Sequence, residues 1–308
     1  MTTLSLSEIA SALGGKVHGR QVLAPGPGHS SKDRSLSIRL SDASIDGFIV
    51  FSHAGDDFRA CRDFVADALG LPADRWRQSY EADPAEVERR RVARERAEEV
   101  ERAAVLRRQR QARAIWDAGR DPKNTVVEVY LKSRCLDLPA EIAGDVLRYH
   151  PACAWGEDVV PAMVAALRCV RTGEIIGVHR TALTPEGTKL GRRMLGTAAG
   201  AAVMLDAQDA VAADLTIGEG IETCLAAKQI GLSPVWALGS TAGIAGFPVL
   251  PGVGKLTILG ERDAGASDQA SREAGTRWYR SGRAVDIVLP RVGKDLNDQI
   301  QEARKHGV

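Results

Sequence analysis

The sequence predicts an α/β protein in which a C-terminal domain with a parallel sheet follows α+β modules and a long charged helix. From residue 214 onward, apolar strand-like segments alternate with helical segments, which is the pattern of a parallel sheet covered on both faces. Residues 84–118 are dense in Arg, Glu and Ala. The 308 residues include 31 glycines and only 5% aromatic residues, which favours an α/β protein with many tight turns over a packed all-β domain.

Residues 1–77 are predicted to form a small α+β module. Ser7 is expected to cap a first short helix, and strands are expected at residues 36–40 and 48–51. A second helix is predicted for residues 56–69, because apolar residues recur there at helical spacing.

Residues 78–118 are predicted to be a charged helical linker. Glu and Arg recur three and four residues apart, which supports a solvated helix of about 45–50 Å at 1.5 Å per residue. One interpretation is a spacer between domains. The other is an arginine-rich face for nucleic-acid phosphates, formed by Arg89, Arg90, Arg91, Arg107, Arg108, Arg110 and Arg113.

Residues 119–205 are predicted to be a mixed domain with a helix at 126–133 and strands at 163–170, 174–180 and 201–205. A basic cluster lies on or beside these strands. It either binds phosphates of a template or of a nucleotide, or it is an ordinary solvated strand surface. Its members are Arg168, Arg171, Arg180, Lys189, Arg192 and Arg193.

Acidic residues follow several strands of the C-terminal domain, residues 206–308. Strands are predicted at residues 215–217, 235–238, 256–259 and 285–289. Glu219 follows the first of them, Glu261 and Asp263 follow the third, and Asp295 and Asp298 follow the last. A single acid at a strand end is usually a helix N-cap. Three instances at equivalent positions predict one site, because functional residues gather beyond the carboxyl ends of parallel strands.

A metal ion is the expected occupant of this site. Carboxylates that converge on one sheet edge repel one another unless a cation lies between them, and a set of oxygen ligands suits Mg²⁺ or Mn²⁺.

Three short runs resemble the Toprim domain, a fold shared by bacterial primases, topoisomerases and some nucleases. They are Gly-Glu-Gly-Ile-Glu-Thr at 218–223, Glu-Arg-Asp at 261–263 and Gly-Lys-Asp-Leu-Asn-Asp at 293–298. The variant is similar to the Toprim domain of primases from mobile genetic elements, and the resemblance covers about residues 206–304.

The resemblance implies a Rossmann-like parallel sheet and a role for each acid. Glu219 would be the invariant glutamate of the family, Glu261 and Asp263 its acidic pair, and Asp295 its third metal-site acid. The family has Asp where this chain has Glu261, so that carboxylate reaches one methylene further.

Upstream segments also resemble primases. Residues 24–29, 35–39 and 51–57 follow the order of the amino-terminal zinc module of primases, but the cysteines expected near Ala24 and Ser52 are missing. His29, His53 and Cys61 remain, one ligand short of a structural zinc site. We therefore expect no zinc and interpret the module as a metal-free relic that contacts template. The alternative is that the histidines are ordinary surface residues. Residues 130–134 and 178–181 resemble segments of the primase core.

These observations predict a DNA primase-like nucleotidyltransferase that synthesises primers on single-stranded DNA. By resemblance, Glu219, Glu261 and Asp263 are catalytic, and with Asp295 they hold two divalent cations; Glu219 is either a metal ligand or a general base. Arg168, Arg180, Lys189, Arg192 and Arg193 are the predicted nucleic-acid or nucleotide contacts. The expected partners are template DNA, nucleotides and a separate helicase.

Two other functions remain open, a Toprim metal-dependent nuclease and a non-catalytic nucleic-acid-binding protein derived from a primase. The order of the upstream modules disfavours the nuclease. The Glu261 substitution and the missing zinc cysteines keep the binding protein as an alternative.

Composition and partial motifs exclude further classes. The net charge of +1 means that nucleic-acid contact depends on local patches. We expect a cytoplasmic protein without membrane contact, because the sequence has no signal-peptide pattern at its start and no apolar run of about 18 residues. Residues 218–223 lack the third glycine of a dinucleotide fingerprint, and residues 252–255 precede a strand, whereas a P-loop follows one.

Overall fold

The computed structural model describes residues 4–41, 44, 46–72, 84–263 and 265–306. The last residues of the predicted N-terminal module, 73–77, and the first of the predicted linker, 78–83, lie outside the described residues. The chain forms two compact units, Met1–Arg102 and Ala103–Val308. The four domain boundaries predicted from the sequence stay predictions.

The first unit contains an antiparallel sheet of four strands that pair in chain order. Its elements are helix α1 (Leu6–Leu13), strands β1 (Lys16–His18), β2 (Gln21–Ala24), β3 (Leu36–Leu40) and β4 (Phe48–Ser52), and helix α2 (Phe58–Ala68). Both helices pack on one face of the sheet and bury Ile9, Ile38 and Val65 with it. The predicted cap was wrong: Ser5, and not Ser7, accepts a hydrogen bond from the backbone N–H of Glu8 in a capping box, which puts Ser7 inside the first turn.

Helix α3 (Pro84–Asp117) confirms the predicted long charged helix. Side-chain pairs one turn apart support it, as where Arg91 contacts Glu88 at 2.5 Å and Glu95 at 2.6 Å. The division between the two units falls within this helix. In the second unit its C-terminal end is buried through Ala112 and Trp116.

The second unit is built on a sheet of nine strands. In chain order its elements after α3 are α4 (Val126–Ser133), β5 (Leu147–Trp155), β6 (Asp158–Cys169), β7 (Ile175–Leu183), β8 (Lys189–Gly196), β9 (Ala201–Met204), β10 (Asp214–Gly218), α5 (Ile221–Gln229), β11 (Val235–Ala237), α6 (Thr241–Gly246), β12 (Lys255–Leu259), α7 (Ala266–Arg280), β13 (Ala284–Val288) and α8 (Leu296–Lys305). The strand order is β13-β12-β10-β11-β9-β6-β7-β8, and β5 pairs with β6.

This sheet is parallel in one part and antiparallel in the other. Strands β10 to β13 pair in parallel, as expected for the C-terminal domain. Strand β9 pairs antiparallel with β11 on one side and with β6 on the other, so the sheet continues without interruption into the antiparallel strands β5 to β8. The α/β fold class is confirmed, with a mixed sheet.

Helices cover both faces of the sheet. Helices α4, α5 and α8 pack on one face, around Leu131, Leu225 and Leu296. Helices α6 and α7 pack on the other face, around Trp278, and the end of α3 covers β5 to β7 on that side through Trp116. Helices α5 and α8, both on the first of these faces, follow the carboxyl ends of β10 and β13 in the chain.

Candidate active site

The carboxyl ends of three parallel strands bring the predicted acids to one edge of the sheet. In the register of the sheet, Gly218 at the end of β10 pairs with Leu259 of β12, which in turn pairs with Val288 of β13. Glu219 is the next residue after β10, and Glu261 and Asp263 lie in the loop that follows β12. The sequence-based expectation that these acids share an edge agrees with this register.

The backbone around these acids is tightly fitted. Gly218 has no room for a side chain, because a Cβ there would lie 2.7 Å from Sγ of Cys224. The N–H of Arg262 donates to the carbonyl of Lys294 at 2.8 Å, which joins the loop after β12 to the run that leads into α8. Gly293 has φ of +79°, a left-handed conformation that favours glycine, and a Cβ there would lie 2.5 Å from Cβ of Asp298.

A basic side chain is bonded to Glu219. The guanidinium of Arg192 on β8 donates to Oε1 of Glu219 at 2.8 Å. Glu219 is mostly buried, with 11% of its side chain exposed, whereas 45% of the Arg192 side chain is exposed. The carboxylate is fixed in the site, and its cationic partner faces solvent.

Glu261 has a similar partner. The ammonium of Lys294 lies 3.0 Å from Oε2 of Glu261. Burial raises the pKa of the Glu261 carboxyl; the bond from Lys294 opposes that effect, and the charges of Glu219 and Asp295 add to it. The same contact raises the pKa of Lys294. Glu219, Glu261 and Asp295 are therefore near enough to interact electrostatically.

The other two acids differ in their contacts. Oδ1 of Asp263 is buried and has no hydrogen-bond partner among the described residues. Asp295 is the N-cap of α8 and accepts the N–H of Asp298 at 2.9 Å. Asp295 thus has the structural role that is usual for an acid before a helix, and this role leaves its other oxygen available.

The acids fit a hard divalent cation by their chemistry. All four ligands are carboxylates, the class that Mg²⁺ and Mn²⁺ prefer, and Oδ1 of Asp263 is a buried acceptor without a donor. Within the described residues, no three His, Cys, Asp or Glu side chains already form a group that could hold a metal. Arg192 contacts Oε1 of Glu219 and Lys294 contacts Oε2 of Glu261, so both cations lie next to carboxylates that would hold a metal.

The predicted basic cluster divides between the two faces of the sheet. Arg192 pairs with Thr181 and Arg193 with Arg180 in the β7–β8 ladder, and successive residues of a strand point to opposite faces. The register of the ladder shifts between Ala182 and Leu183, so Lys189, opposite Leu183, lies on the same face as Arg192. This is the face of the acidic edge, where Lys189 contacts Glu222 at 2.6 Å.

Arg180, Arg193 and Arg168 lie on the opposite face. The guanidinium groups of Arg193 and Arg180 lie 4.5 Å and 5.9 Å from the ring centre of Trp155. Arg168 donates to the carbonyl of Gly173 at 3.1 Å, and burial lowers its pKa. The structure thus does not bring these three arginines to the acids, and their predicted nucleic-acid contacts stay predictions.

Sequence reasoning missed four residues of the acidic edge. Lys294 and Glu222 lie inside the runs that carry the Toprim resemblance, so their position was a usable signal. Tyr130 and His179 lie in the two segments that resemble the primase core. Tyr130 donates to Glu222, and the buried His179 ring has a pKa lowered to about 4, mainly by burial, with the charges of Arg192 and Lys189 adding to it.

The three residual zinc-ligand candidates of the first unit have separate contacts. His29 bridges Asp33 at 2.9 Å and Asp56 at 3.0 Å. His53 bonds Ser37 at 2.9 Å, and Cys61 is buried in the core. The absence of zinc stays a prediction.

Two family models match the second unit. Residues 214–305 match the Toprim domain, and residues 106–205 match a domain of unknown function, DUF7146. The C-terminal part of the chain is therefore a Toprim domain, as the three acidic runs predicted. No curated protein sequence matches the chain.

Solved structures of bacterial primases resemble the chain in fold. A DnaG primase catalytic domain bound to single-stranded DNA has a TM-score of 0.47 at 14% identity, over 67% of this chain and 78% of that one. A primase domain from Pseudomonas aeruginosa has a TM-score of 0.45 at 15% identity, over 63% and 74%. The zinc-binding and RNA polymerase domains of the Aquifex aeolicus primase have the same TM-score and identity, over 99% and 84%.

None of the described helices has both the length and the apolar character that crossing a bilayer needs.

Proposed function

We propose that the protein is a primase-type nucleotidyltransferase that synthesises primers on a single-stranded DNA template. The observation that carries the proposal is the edge of the Toprim domain. There, Glu219 follows β10, Glu261 and Asp263 follow the adjacent parallel strand β12, and Asp295 is the N-cap of α8. The primase-like order of the upstream segments favours a polymerising reaction over hydrolysis.

The reaction would be an in-line displacement at the α-phosphate of a nucleotide. The primer 3′-hydroxyl attacks that phosphorus, one P–O bond forms, and the bond to the departing pyrophosphate breaks. Two divalent cations held by Glu219, Glu261, Asp263 and Asp295 would supply activation of the hydroxyl and neutralisation of the leaving group.

The protein side chains would have distinct tasks in this reaction. Glu219 either holds a cation or accepts the proton of the hydroxyl, since its carboxylate is fixed at the edge. Arg192, once released from Glu219, is on the correct face to bind a nucleotide phosphate. Lys294 lies beside Glu261 as Arg192 lies beside Glu219, and it would bind a nucleotide phosphate in the same way.

A primer-synthesis assay tests the proposal. The whole chain is incubated with single-stranded DNA and labelled nucleotides in Mg²⁺ and, separately, in Mn²⁺, and the products are separated by length. Short labelled products that depend on template and metal are the expected result. Shortening of the template instead would support the Toprim nuclease, and retention of DNA without any reaction would support a non-catalytic binding protein. A separate helicase would supply unwound template.

A further inference from the structure

Glu222 connects three elements beside the acidic edge. It lies in the first turn of α5, three residues after Glu219. Its Oε1 accepts a hydrogen bond from the hydroxyl of Tyr130 on α4 and another from the ammonium of Lys189 on β8, the latter at 2.6 Å. The sequence interpretation assigned Glu222 no role.

The carboxylate of Glu222 is held rigidly. Only 13% of its side chain is exposed, and the Tyr130 ring that donates to it is buried. Burial alone would raise the pKa of Glu222, but the charge of Lys189 and the hydrogen bonds of Lys189 and Tyr130 outweigh burial and lower the pKa to about 2. The carboxylate is therefore held in place by Tyr130 and Lys189.

Lys189 is restrained but remains accessible. Its side chain is 35% exposed, and its ammonium has three N–H donors, of which Glu222 takes one. It points to the same face of the sheet as Arg192, whose partner Glu219 lies three residues before Glu222, between β10 and α5. The remaining donors of Lys189 are thus presented beside the acidic edge.

The same face has unused hydrogen-bonding capacity. Nδ1 of His179 and Oγ1 of Thr181, both on β7, are buried and have no hydrogen-bond partner among the described residues. Thr181 lies directly opposite Arg192 in the ladder. Buried polar atoms without partners are rare in folded proteins, and here two of them lie on the strand that pairs with the strand of Lys189 and Arg192.

We propose that Glu222 is a positioning residue that holds the ammonium of Lys189 in front of the acidic edge, where it binds the phosphates of the incoming nucleotide. The inference rests on the proposed function. A free lysine must lose side-chain conformational entropy when it binds a phosphate, and prior restraint by Glu222 removes part of that loss.

The direction in which Glu222→Gln changes the affinity for nucleotide separates a positioning role from a purely electrostatic one. Glu222→Gln removes a negative charge near the nucleotide phosphates, so a purely electrostatic effect would tighten nucleotide binding. If Glu222 acts by positioning Lys189, the same change weakens binding. Ordering one long side chain costs about 0.5–1.5 kcal/mol, so we expect the nucleotide KM to rise about two- to tenfold while kcat changes less.

The experiment measures two quantities on the whole chain. The first is equilibrium binding of a fluorescent deoxynucleoside triphosphate in Mg²⁺, and the second is KM and kcat for primer synthesis. The variants are Glu222→Gln, Glu222→Asp, Lys189→Ala and the Glu222→Gln/Lys189→Ala pair. Glu128→Gln is the matched control, because Glu128 forms an ion pair with Lys132 on the exposed side of α4, at 3.0 Å.

Three results are expected together. Glu222→Gln and Glu222→Asp both weaken nucleotide binding, since the shorter Asp keeps the charge but not the reach. The double variant binds no more weakly than Lys189→Ala alone, because both changes remove the same interaction. Glu128→Gln binds as the wild type does. Circular dichroism and thermal unfolding of each variant verify that the fold is retained.

The outcomes distinguish this inference from the proposed function. Primer synthesis by the wild type, with a nucleotide KM in Glu222→Gln that is unchanged or lower, overturns the inference and leaves the proposed function standing. Nucleotide binding that weakens in Glu222→Gln, without primer synthesis by any variant, supports the positioning role and contradicts the proposed catalysis.

Discussion

The acid at the end of β10 is the residue on which the catalytic proposal depends most. Glu219→Gln keeps the shape of the side chain but removes its charge, and so removes a metal ligand or a general base. We expect metal-dependent primer synthesis to fall by at least about 10²-fold, the range of a lost acid–base group. Thermal unfolding should change little, because the amide oxygen can still accept from Arg192. Turnover near that of the wild type would remove Glu219 from the mechanism.

Glu261 tests whether the site has adapted to a longer carboxylate. Related domains have Asp there, and Mg²⁺ needs ligands at about 2.0–2.1 Å in near-octahedral geometry. We expect Glu261→Asp to retain or raise primer synthesis and Glu261→Ala to lose it, as measured by product yield in Mg²⁺ and Mn²⁺. Activity of Glu261→Asp as low as that of Glu261→Ala would show that the loop after β12 has receded to fit Glu.

At the residue scale, the acids could be predicted from the sequence, but the pairing of Arg192 with Glu219 could not. Glu219 and Glu261 were identifiable because each follows a strand closely in sequence. Arg192 is 27 residues from Glu219 in the sequence. Which residues of β8 face the acids depends on the register in which β8 pairs with β7, and the sequence does not give that register. Arg193 illustrates this point, because it is adjacent in sequence but lies beside Trp155 on the other face.

At the scale of elements, the loops of the first unit are joined by a histidine. His29, before β3, bonds Asp33 within its own loop and Asp56 in the loop between β4 and α2. The hydrogen bond to Asp33 is the main cause of a raised His29 pKa, and Asp56 adds to it. The bridge connects two of the segments that resemble the zinc module, residues 24–29 and 51–57, through side-chain hydrogen bonds alone.

This bridge should make the first unit sensitive to pH. A His pKa that is higher in the folded than in the unfolded protein adds stability below the ordinary value of about 6.5, and that stability is lost as pH rises through the folded pKa. We expect hydrogen-exchange protection of residues 21–57, corrected for intrinsic rates, to fall from about pH 6 to about pH 8. Glu128→Gln should show the same fall, and His29→Gln should not. An equal fall in His29→Gln would assign the pH dependence to another group.

Regular elements were predicted best where the pattern was strong. Helix α4 and strand β3 have the predicted bounds. No end of the parallel strands β10 to β13 differs from its predicted position by more than one residue. Strands β1, β2, β5 and β8 were missed. Strand β8 is an edge strand with no buried residue, so it has no apolar alternation to read. The continuation of one sheet through β9 is a tertiary feature, since β9 pairs with strands from both sides of it in the chain.

At the scale of the whole molecule, charge is balanced and its distribution decides binding. The net charge of +1 gives no long-range attraction to nucleic acid, so affinity must come from local groups of cations. Two such groups lie on opposite faces of the sheet of the second unit. Lys189 and Arg192 face the acidic edge, and Arg180 and Arg193 flank Trp155.

Salt dependence of single-stranded DNA binding measures how many of these cations contact phosphate. Each contact to a single strand contributes about 0.7 to the slope of log affinity against log salt. We expect Arg192→Ala and Arg193→Ala each to lower the slope by about 0.7, and the double variant to lower it by about twice that amount, since the two side chains lie on different faces.

The matched control for this titration is Arg272→Ala. Arg272 is an exposed arginine paired with Asp268 on α7, outside both groups of cations, and its substitution should leave the slope unchanged. A loss confined to Arg192→Ala would restrict DNA to the face of the acidic edge, and a loss confined to Arg193→Ala would restrict it to the Trp155 face. A slope equal to that of the wild type in both variants would mean that neither arginine contacts the strand. The template would then have to be held by cations outside β8, and the proposed place of Arg192 beside the nucleotide would have to be tested by nucleotide binding alone.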